Sequence, residues 1–533
     1  MPGPERQFDH IVVGGGTAGA VIAARLSEDQ QRRVLLLEAG PDYPDAVPPR
    51  LLDASFAVMS GHNWDMRAIV RPTAVAGQRA RIGRVFELAS SFLLPSSFLY
   101  PLGKVMGGGS AVNGGLALHA RPEDYASWSA AGCDEWNWER VSPYINRIAG
   151  PDPHKPALPV ETPLSGDLTP CQRAFLETYW AMGSREVDLC HGTIEGVGTI
   201  PKCLRQGQRF STSALYLAAA RGRSNLIIRS NCLVDKLILE NGSGPLVATG
   251  VEALIDGLRC RFSGEHVTIC AGAINSPAIL QRSGIGAEED LRRSNIKPVL
   301  DLPGVGKNLQ DHPSVCLWAT PKRGACVAGE PVHQMMAQHR SSRSGPLCDI
   351  QLFMLSAVPT QEIPVLRQII GSDLAMGISV VLATPLSRGH VKVVNDDVAT
   401  QPQIHLNCLQ EAEDLRRMME GVELAWRILG RAPLHLHIDR TLVWTQDVMT
   451  SNTLRESLVR AMVRGTWHPV GTLRMGKADD PMTVVDQRGR LHGCRNVTAA
   501  DASIMPAIPS VPTCLTCMLI GERVAAHLRS QEA

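Results

Sequence analysis

The feature that most constrains the fold is a strand, glycine turn, helix and strand at residues 8–40. His10–Val13 is a short apolar run, as in a buried parallel strand, and Val34–Leu37 has the same character. Between them the chain carries the spacing G-x-G-x-x-G, at Gly14, Gly16 and Gly19. In this spacing the first glycine permits the turn, the second lets a pyrophosphate approach the backbone, and the third lets the helix pack closely on the strand. The N-terminus of the helix then faces an anion.

Glu38 ends the second strand, about twenty residues after the glycines, where an acidic side chain hydrogen-bonds a ribose 2′-hydroxyl. Its negative charge argues against a 2′-phosphate. An ordinary glycine turn would explain the glycines by themselves. It would not explain why a strand, a helix, a second strand and Glu38 all follow at the expected spacing. The stretch therefore predicts an adenine-dinucleotide site, with FAD and NAD both open at this point.

Length and charge limit the remaining possibilities. A chain of 533 residues without a polar linker can bury two cores, and we expect two interleaved domains. A net charge of +1 gives no electrostatic reason to expect nucleic acid or an anionic membrane as a partner. No apolar run reaches transmembrane length and the first residues lack the apolar core of a secretory signal, so we expect a cytoplasmic protein.

The 14 cysteines are scattered and lack the paired spacings of a zinc site. We expect most of them to be small buried side chains with free thiols, and we expect no metal. One Cys-x-x-Cys pair, Cys514 and Cys517, has no second pair to complete a metal site, and a redox role for it is the less favoured interpretation.

A second glycine-rich stretch, Gly103–Gly115, contains three consecutive glycines. Only glycine permits a very close approach, so this stretch indicates backbone pressed against a flat or phosphorylated ligand, although its spacing alone also fits a flexible loop. The preceding segment, Phe86–Leu102, is apolar and has no clear period. It is either a loop buried under the second domain or at a dimer contact, or a lid over the active site.

Together with two later motifs, these stretches resemble the glucose–methanol–choline (GMC) oxidoreductases. Gly103–Asn113 resembles the first signature of that family, Gly272–Gly286 the second, and Gly304–Pro313 the segment that follows it. The motifs occur in the family's order between Phe8 and Leu528. The resemblance favours FAD over NAD. It implies a Rossmann-type α/β FAD-binding domain and an α+β substrate domain built on an antiparallel sheet.

The resemblance also divides the chain between the two domains. The parts implied for the FAD-binding domain are residues 1–155, 201–312 and 466–533, and those for the substrate domain are residues 156–200 and 313–465.

Several elements are expected within this division. The resemblance implies strands in Leu226–Leu239, a late strand in Val497–Met505 and a last helix in Thr516–Leu528. Alternating residues predict a strand in Arg388–Val393, and apolar residues at helical spacing predict a helix in Glu411–Leu429.

The resemblance places a set of residues against FAD, most of them in the glycine stretches and in the late segments of the chain. They are Gly14, Gly16, Thr17, Ala18, Gly19, Glu38, Ala39, Met106, Gly107, Gly109, Ser110, Asn113, Gly114, Gly115, Leu116, Val234, Ala271, Gly272, Trp467, His468, Ala500, Asp501 and Thr513. Val112 stands where some members attach FAD covalently through a histidine. We therefore expect the FAD to be bound non-covalently.

Catalytic residues are expected in Gly465–Thr472, where His468 lies between Trp467 and Pro469. By itself this histidine could equally be a structural residue. The resemblance implies that His468 faces the flavin as general base, with flavin N5 as the hydride acceptor and Trp467 and Val470 as nearby walls. Hydride leaves an alcohol carbon only as the hydroxyl proton departs, and imidazole titrates near neutral pH.

The chain departs from the family pattern at Pro512, where most members carry a second histidine or asparagine that bonds the substrate oxygen. Proline has neither a side-chain donor nor an N–H. Four readings stay open: His468 acts alone, Thr513 or Cys514 replaces the missing group, a partner comes from elsewhere in the pocket, or the activity is altered. A proline also occurs here in members resembling pyridoxine 4-oxidase, which favours a primary aromatic alcohol as substrate because its benzylic-type C–H gives up hydride more readily.

The leading hypothesis is an FAD-dependent alcohol oxidase or dehydrogenase that uses dioxygen or another electron acceptor, as a monomer or homodimer. One alternative is a lyase of the hydroxynitrile-lyase type on the same fold. Another is an FAD-binding protein without turnover, or a tailoring enzyme acting on a larger or carrier-bound alcohol. Candidate pocket residues, for which a core position is the simpler interpretation, are Trp318, Phe353, Leu355 and Trp444.

Overall fold

The computed structural model describes residues 8–70, 97–150, 152, 155, 157–190, 194–240, 244–342 and 348–530. Its strands are β1 Phe8–Val13, β2 Val34–Leu37, β3 Met66–Ile69, β4 Ser97–Tyr100, β5 Gly196–Thr199, β6 Leu204–Arg205, β7 Gln208–Arg209, β8 Leu226–Arg229, β9 Cys232–Glu240, β10 Val247–Ile255, β11 Leu258–Ile269, β12 Ile285–Gly286, β13 Leu300–Asp301, β14 Pro313–Pro321, β15 Met335–His339, β16 Ile350–Pro359, β17 Leu374–Leu382, β18 His390–Lys392, β19 Gln403–His405, β20 Ile438–Thr441, β21 Arg464–Gly465 and β22 Val497–Ala499. Its α-helices are α1 Thr17–Leu26, α2 Pro49–Leu52, α3 Gly109–Val112, α4 Pro122–Ala130, α5 Trp138–Ala149, α6 Pro170–Ala181, α7 Ala218–Ala220, α8 Gly272–Arg282, α9 Glu288–Arg293, α10 Pro364–Ile370, α11 Ala412–Leu429, α12 Gln446–Thr450, α13 Asn452–Met462 and α14 Cys514–Ser530.

The first sheet is built around the N-terminal strand–turn–helix–strand. Its order is β8-β2-β1-β11-β10-β9, with β22 also pairing with β11. Strands β8, β2, β1, β11 and β22 pair in parallel, while β10 pairs antiparallel with both β11 and β9. The strand, glycine turn, helix and strand predicted for residues 8–40 are therefore confirmed, and both apolar strands are buried because a parallel sheet is covered on its two faces.

Helix α14 covers α1 on one face of this sheet. A Cβ on Gly521 would lie 2.8 Å from Val21 Cβ and 2.9 Å from the Ala18 carbonyl oxygen. Only a glycine lets the two helices approach this closely. The helix predicted for Thr516–Leu528 is thus present, and it extends by two residues at each end.

The late strand predicted for Val497–Met505 is shorter than expected. Regular pairing stops after Ala499, and a short 3₁₀ turn spans Ala502–Ile504. The physical reason is Asp501, whose carboxylate accepts hydrogen bonds from the Ser503 N–H at 2.7 Å and from the Gly272 N–H at 2.8 Å. These bonds turn the chain toward the start of α8.

The second sheet is antiparallel and has the order β20-β14-β17-β16-β15-β5, with β21 pairing with β14. Helix α11 packs against it as the spacing of Glu411–Leu429 predicted, and a Cβ on Gly421 would lie 2.5 Å from Val380 Cγ1. The strand predicted for Arg388–Val393 forms over His390–Lys392. Trp444 is fully buried beside this sheet and donates its indole N–H to the Cys316 carbonyl at 3.2 Å, so the alternative of a core position is correct for it.

A small third sheet, in the order β18-β19-β3-β4, links distant parts of the chain. The segment Phe86–Leu102 was expected to be irregular, yet its end contributes β4, because Ser97–Tyr100 finds a complementary edge in Met66–Ile69. Residues 86–96 lie outside the described residues. In the described parts of the chain, no helix is both long and apolar enough to cross a bilayer.

Candidate active site

A cavity of about 830 Å³ begins at the glycine turn after β1 and extends between the first two sheets to His468. This is a large volume for a ligand pocket, for which roughly 300–1,000 Å³ is usual. Most of the sequence-predicted residues line it: Gly14, Gly16, Thr17, Ala18, Glu38, Ala39, Gly109, Asn113, Gly114, Leu116, Val234, Ala271, Gly272, Trp467, His468, Asp501, Pro512 and Thr513. One continuous space therefore connects the dinucleotide-type turn with the catalytic histidine candidate.

The other predicted residues support this lining from behind and do not face the cavity: Gly19, Met106, Gly107, Ser110, Gly115 and Ala500. The Gly107 N–H donates to the Gly15 carbonyl at 2.8 Å, and the Ser110 hydroxyl donates to the Gly107 carbonyl at 2.6 Å. The two glycine stretches are thereby fastened to each other.

The glycines of the first turn differ in what a Cβ atom at each position would contact. Gly14 has a φ of +100°, and a Cβ there would lie 2.5 Å from the Cys270 carbonyl oxygen. A Cβ on Gly19 would lie 1.9 Å from the Gly14 carbonyl oxygen. On Gly16, by contrast, a Cβ would meet nothing closer than Gly108 Cα at 3.8 Å. Protein packing thus explains the first and third glycines, and the open space at the second is where a ligand phosphate would approach the backbone.

This contrast gives a matched pair of substitutions. We expect Gly16→Ala to fold normally but to purify with much less FAD, because its methyl group enters only the ligand's space. Gly14→Ala should instead lower the melting temperature or prevent folding, because it combines a backbone clash with a φ unfavourable for alanine. Flavin content by visible absorbance and folding by circular dichroism distinguish the two; equal flavin content in wild type and Gly16→Ala would contradict the expectation.

Glu38 is oriented by the backbone on both sides of it. Its Oε2 accepts from the Gly15 N–H and its Oε1 from the Gly40 N–H, each at 2.8 Å. Burial raises the pKa of Glu38 to about 7, against the opposing effect of these two bonds. Each oxygen retains a second lone pair that can accept from a ribose hydroxyl. The donors and acceptors around the turn therefore fit an adenine dinucleotide.

The segment that carries His468 is held by one carboxylate. The buried side chain of Asp311 accepts from the Trp467 N–H at 3.2 Å and the His468 N–H at 3.0 Å. Tyr100 donates its hydroxyl to the same carboxylate at 2.5 Å. A Cβ on Gly465 would lie 2.1 Å from Asp311 Oδ2, so this glycine is needed for the carboxylate to come so near.

The backbone of this segment is strained at Trp467, which has a φ of +65°. A bulky residue in this region costs about 1–2 kcal/mol, and the bonds to Asp311 offset that cost. The indole N–H of Trp467 is buried and has no partner among the described residues, although the ring lines the cavity. It is a donor available to a bound ligand.

His468 contacts a second histidine, His312. The two Nδ1 atoms are 3.0 Å apart, and His312 Nε2 lies 2.9 Å from the Pro509 carbonyl oxygen. A carbonyl can only accept, so His312 Nε2 carries its proton and the neutral ring leaves His312 Nδ1 as an acceptor. The proton between the rings therefore belongs to His468 Nδ1, which also lies 3.0 Å from the Thr466 hydroxyl. This leaves the lone pair of His468 on Nε2.

Burial keeps both rings neutral. It lowers the pKa of His312 to about 4, and burial together with the neighbouring His312 lowers the pKa of His468 to about 3. No group among the described residues hydrogen-bonds His468 Nε2. The arrangement thus presents an unprotonated nitrogen on a fixed ring to the cavity, as a general base requires.

Pro512 lines the cavity and offers no hydrogen bond there. The next residue, Thr513, also lines it, and in the described structure its hydroxyl has no hydrogen-bond partner. Burial raises the pKa of the Cys514 thiol to about 12, so this thiol stays protonated. Of the two neighbouring candidates to replace the usual histidine or asparagine, Thr513 is the better donor.

The second sheet forms the opposite wall. Alternate residues of its strands face the cavity, including three of the predicted pocket residues, Trp318, Phe353 and Leu355. The half-buried His333 ring lies edge-on to Phe353 at 6.3 Å, and its buried Nδ1 has no partner in the described structure. Desolvation lowers the pKa of His333 to about 3. The wall is mainly apolar with a few polar groups.

Sequence reasoning missed the roles of Asp311 and His312. Both stand in Gly304–Pro313, which was used only to identify the family segment. An acid next to a histidine in this motif is a signal that could have marked them as candidate site residues. The contact of His312 with His468, 156 positions later, depends on the pairing of β14 with β21 and could not be read from the motif. All 14 cysteines have free thiols, including Cys514 and Cys517.

The chain is similar to known proteins in both sequence and structure. The family model described as GMC oxidoreductase matches in two parts, an N-terminal one at residues 8–314 and a C-terminal one at residues 385–521. Among curated relatives, the glucose dehydrogenase [FAD, quinone] of Drosophila pseudoobscura pseudoobscura is 30% identical over 99% of this chain and 87% of its own length. The 5-(hydroxymethyl)furfural oxidase of Methylovorus sp. is 31% identical over 98% of this chain and 99% of its own.

A solved structure, pyridoxine 4-oxidase from Mesorbium loti, matches with a TM-score of 0.83 and 26% sequence identity. The match covers 98% of this chain and 99% of that one. The solved structure thus shares the fold described above over nearly the whole chain.

Proposed function

The chain belongs to the GMC oxidoreductase family, and from this membership and the geometry at His468 we propose that it oxidises a primary aromatic alcohol to the aldehyde with His468 as general base. It is an FAD-dependent oxidoreductase acting on alcohol-type donors. The observation that carries the proposal is the hydrogen-bond chain from the Pro509 carbonyl through His312 to His468, which leaves His468 Nε2 unprotonated.

The residues present fit FAD. Gly16 leaves open space beside the backbone, Glu38 retains acceptor capacity, and the Trp467 indole has an unused donor. When bound, FAD supplies the acceptor for the hydride. The aliphatic side chain of Val112 cannot form the covalent link that a histidine makes at this position, which supports non-covalent binding of the cofactor.

The protein's own residues position the substrate and move its proton. His468 Nε2 accepts the proton of the substrate hydroxyl, and His312 keeps the ring in the tautomer that can do so. The Thr513 hydroxyl donates to the substrate oxygen, in place of the group that Pro512 lacks. A buried, largely apolar wall excludes water, which strengthens each of these polar contacts.

The aromatic part of the proposal follows from the wall of the second sheet. Trp318 and Phe353 offer flat apolar surface to a ring, and Leu355 lies on the same face. A relative is named for a hydroxymethyl group on a furan ring, and a similar structure is named for pyridoxine oxidation. Reoxidation is by dioxygen or another acceptor.

The test is anaerobic mixing of the purified holoprotein with benzyl alcohol and, separately, with 1-hexanol. We expect benzyl alcohol to bleach the visible flavin absorbance faster, with benzaldehyde formed in equal amount. Recovery of the absorbance in air would identify an oxidase, and recovery only with a quinone would identify a dehydrogenase. If no alcohol bleaches an intact bound flavin, the proposal is wrong.

A further inference from the structure

Arg464 lies in the cavity wall next to the catalytic segment. It forms β21 with Gly465 and pairs directly with Ser314 of β14, so the two side chains share one face of the second sheet. Both residues line the same cavity as His468. The Ser314 hydroxyl in turn lies 2.8 Å from the Ser379 hydroxyl. A cationic side chain and two hydroxyls thus form a polar patch in an otherwise apolar wall.

Only one of the three nitrogens of the Arg464 guanidinium donates hydrogen bonds to the described residues. Nη1 donates to the carbonyls of Ala461 at 3.0 Å and Val463 at 2.6 Å, at the end of α13, and the group stacks on Phe98 at 5.6 Å. Nε and Nη2 donate to no group in the described parts of the chain. These two nitrogens form the edge whose parallel N–H groups bind a carboxylate in bidentate fashion.

The charge of Arg464 also has no counterion among the residues that the structure describes. Two buried arginines have such a counterion: Arg282, which lines the same cavity, donates to Asp235 at 2.9 Å, and Arg417 donates to Asp414 at 2.7 Å. No carboxylate among the described residues forms an ion pair with Arg464, and burial lowers its pKa to about 10, at which it is still charged at neutral pH. A half-buried cation without a counterion is partly desolvated at a cost, and a bound anion would reduce that cost.

We propose that Arg464 binds a carboxylate of the substrate, so that the alcohol oxidised at His468 carries a carboxylate elsewhere on the same small molecule. This proposal rests on the proposed function and specifies its substrate class. The separation is compatible with one molecule, because the Cα atoms of Arg464 and His468 are four residues apart and thus at most about 14 Å from each other.

The experiment compares three para-substituted benzyl alcohols that differ in charge: 4-(hydroxymethyl)benzoate, 4-(hydroxymethyl)benzamide and 4-(hydroxymethyl)phenyltrimethylammonium. For each alcohol, the dependence of the anaerobic flavin-reduction rate on its concentration gives the second-order rate constant for reduction of the holoenzyme. We expect the rate constant for the carboxylate to exceed that for the amide by about 10- to 100-fold, the range expected of a charge-assisted bidentate pair. The cation should have the lowest rate constant.

Variants assign the preference to Arg464. Arg464→Gln should bring the carboxylate-to-amide ratio close to one, and Arg464→Lys, which keeps the charge without the fork, should give an intermediate ratio. The matched control is Arg460→Gln, whose arginine pairs with Glu456 on α13 at 2.7 Å and should leave the ratio unchanged. Retained flavin absorbance shows that each variant is folded.

A binding measurement keeps the test independent of turnover. Benzoate should perturb the flavin spectrum at lower concentration than benzamide in wild type but not in Arg464→Gln. The proposal would be overturned if the carboxylate-to-amide rate ratio were equal in wild type and Arg464→Gln, or if wild type showed no preference for the carboxylate. In both cases the amide would still bleach the flavin, so the proposed function would stand. Failure of all three alcohols would contradict the proposed function instead.

Discussion

Replacing His468 with glutamine should lower the rate of flavin reduction by benzyl alcohol about 10²- to 10⁴-fold, the usual contribution of a general base. Glutamine retains hydrogen-bonding capacity but cannot take up the hydroxyl proton near neutral pH. Flavin content and spectrum should stay close to those of wild type. Stopped-flow absorbance under anaerobic conditions measures the rate directly.

The control for this variant is His390→Gln. His390 stacks against His405 at 4.6 Å in the small third sheet and does not line the cavity. The flavin of the His390→Gln variant should be reduced by benzyl alcohol at the wild-type rate. A His468→Gln enzyme that keeps more than about a tenth of the wild-type rate would remove His468 from the role of base, because that loss is below the range for such a group.

Replacing Asp311 with asparagine should lower the same rate about 10- to 100-fold without releasing FAD. The two carboxylate oxygens accept separately from the N–H groups of Trp467 and His468, and an amide replaces one of these oxygens with an NH2 group that cannot accept. Each buried N–H left without an acceptor costs about 1–3 kcal/mol. The strained backbone at Trp467 would then relax and move the His468 ring.

The pH dependence separates this positioning role from a general loss of stability. Burial raises the pKa of Asp311 to about 6, whereas burial lowers the pKa of His468 to about 3. Wild type should therefore lose rate as the pH falls through about 6, because a protonated Asp311 accepts fewer bonds. This decline should be absent in Asp311→Asn.

Asp414→Asn is the matched control for Asp311→Asn. Asp414 is also fully buried and also accepts from two backbone N–H groups, those of Leu386 and Ser387, away from the cavity. The Asp414→Asn substitution should lower the melting temperature without changing the decline of the flavin-reduction rate at low pH. An identical pH profile in wild type and Asp311→Asn would contradict the assigned role.

Local pattern was enough to predict the parts of the site that depend on local backbone. The first glycine turn requires particular residues within a few positions, so Gly14 and Glu38 could be assigned before any tertiary contact was known. The identity of His468 as a site residue came from the family resemblance. Its presence in the cavity agrees with that expectation, while its catalytic role stays a prediction.

The residues that tune His468 could not be predicted in the same way. His312, Asp311 and Arg464 gain their roles through the pairing of β14 with β21, which brings together residues about 150 positions apart. A strand assignment alone does not fix which strand is the partner, nor therefore which side chains share a face. The strand Ser97–Tyr100 was missed for the same reason.

The late position of β22 and α14 has a consequence for synthesis of the chain. The parallel sheet receives β22, and α1 receives its cover of α14, only after residues 8–496 have been made. At about 5–20 residues per second, roughly 25 to 100 s separate the emergence of the glycine turn from that of its last supports. The dinucleotide cleft is therefore incomplete until α14 has emerged, and we expect stable binding of the flavin only after that point.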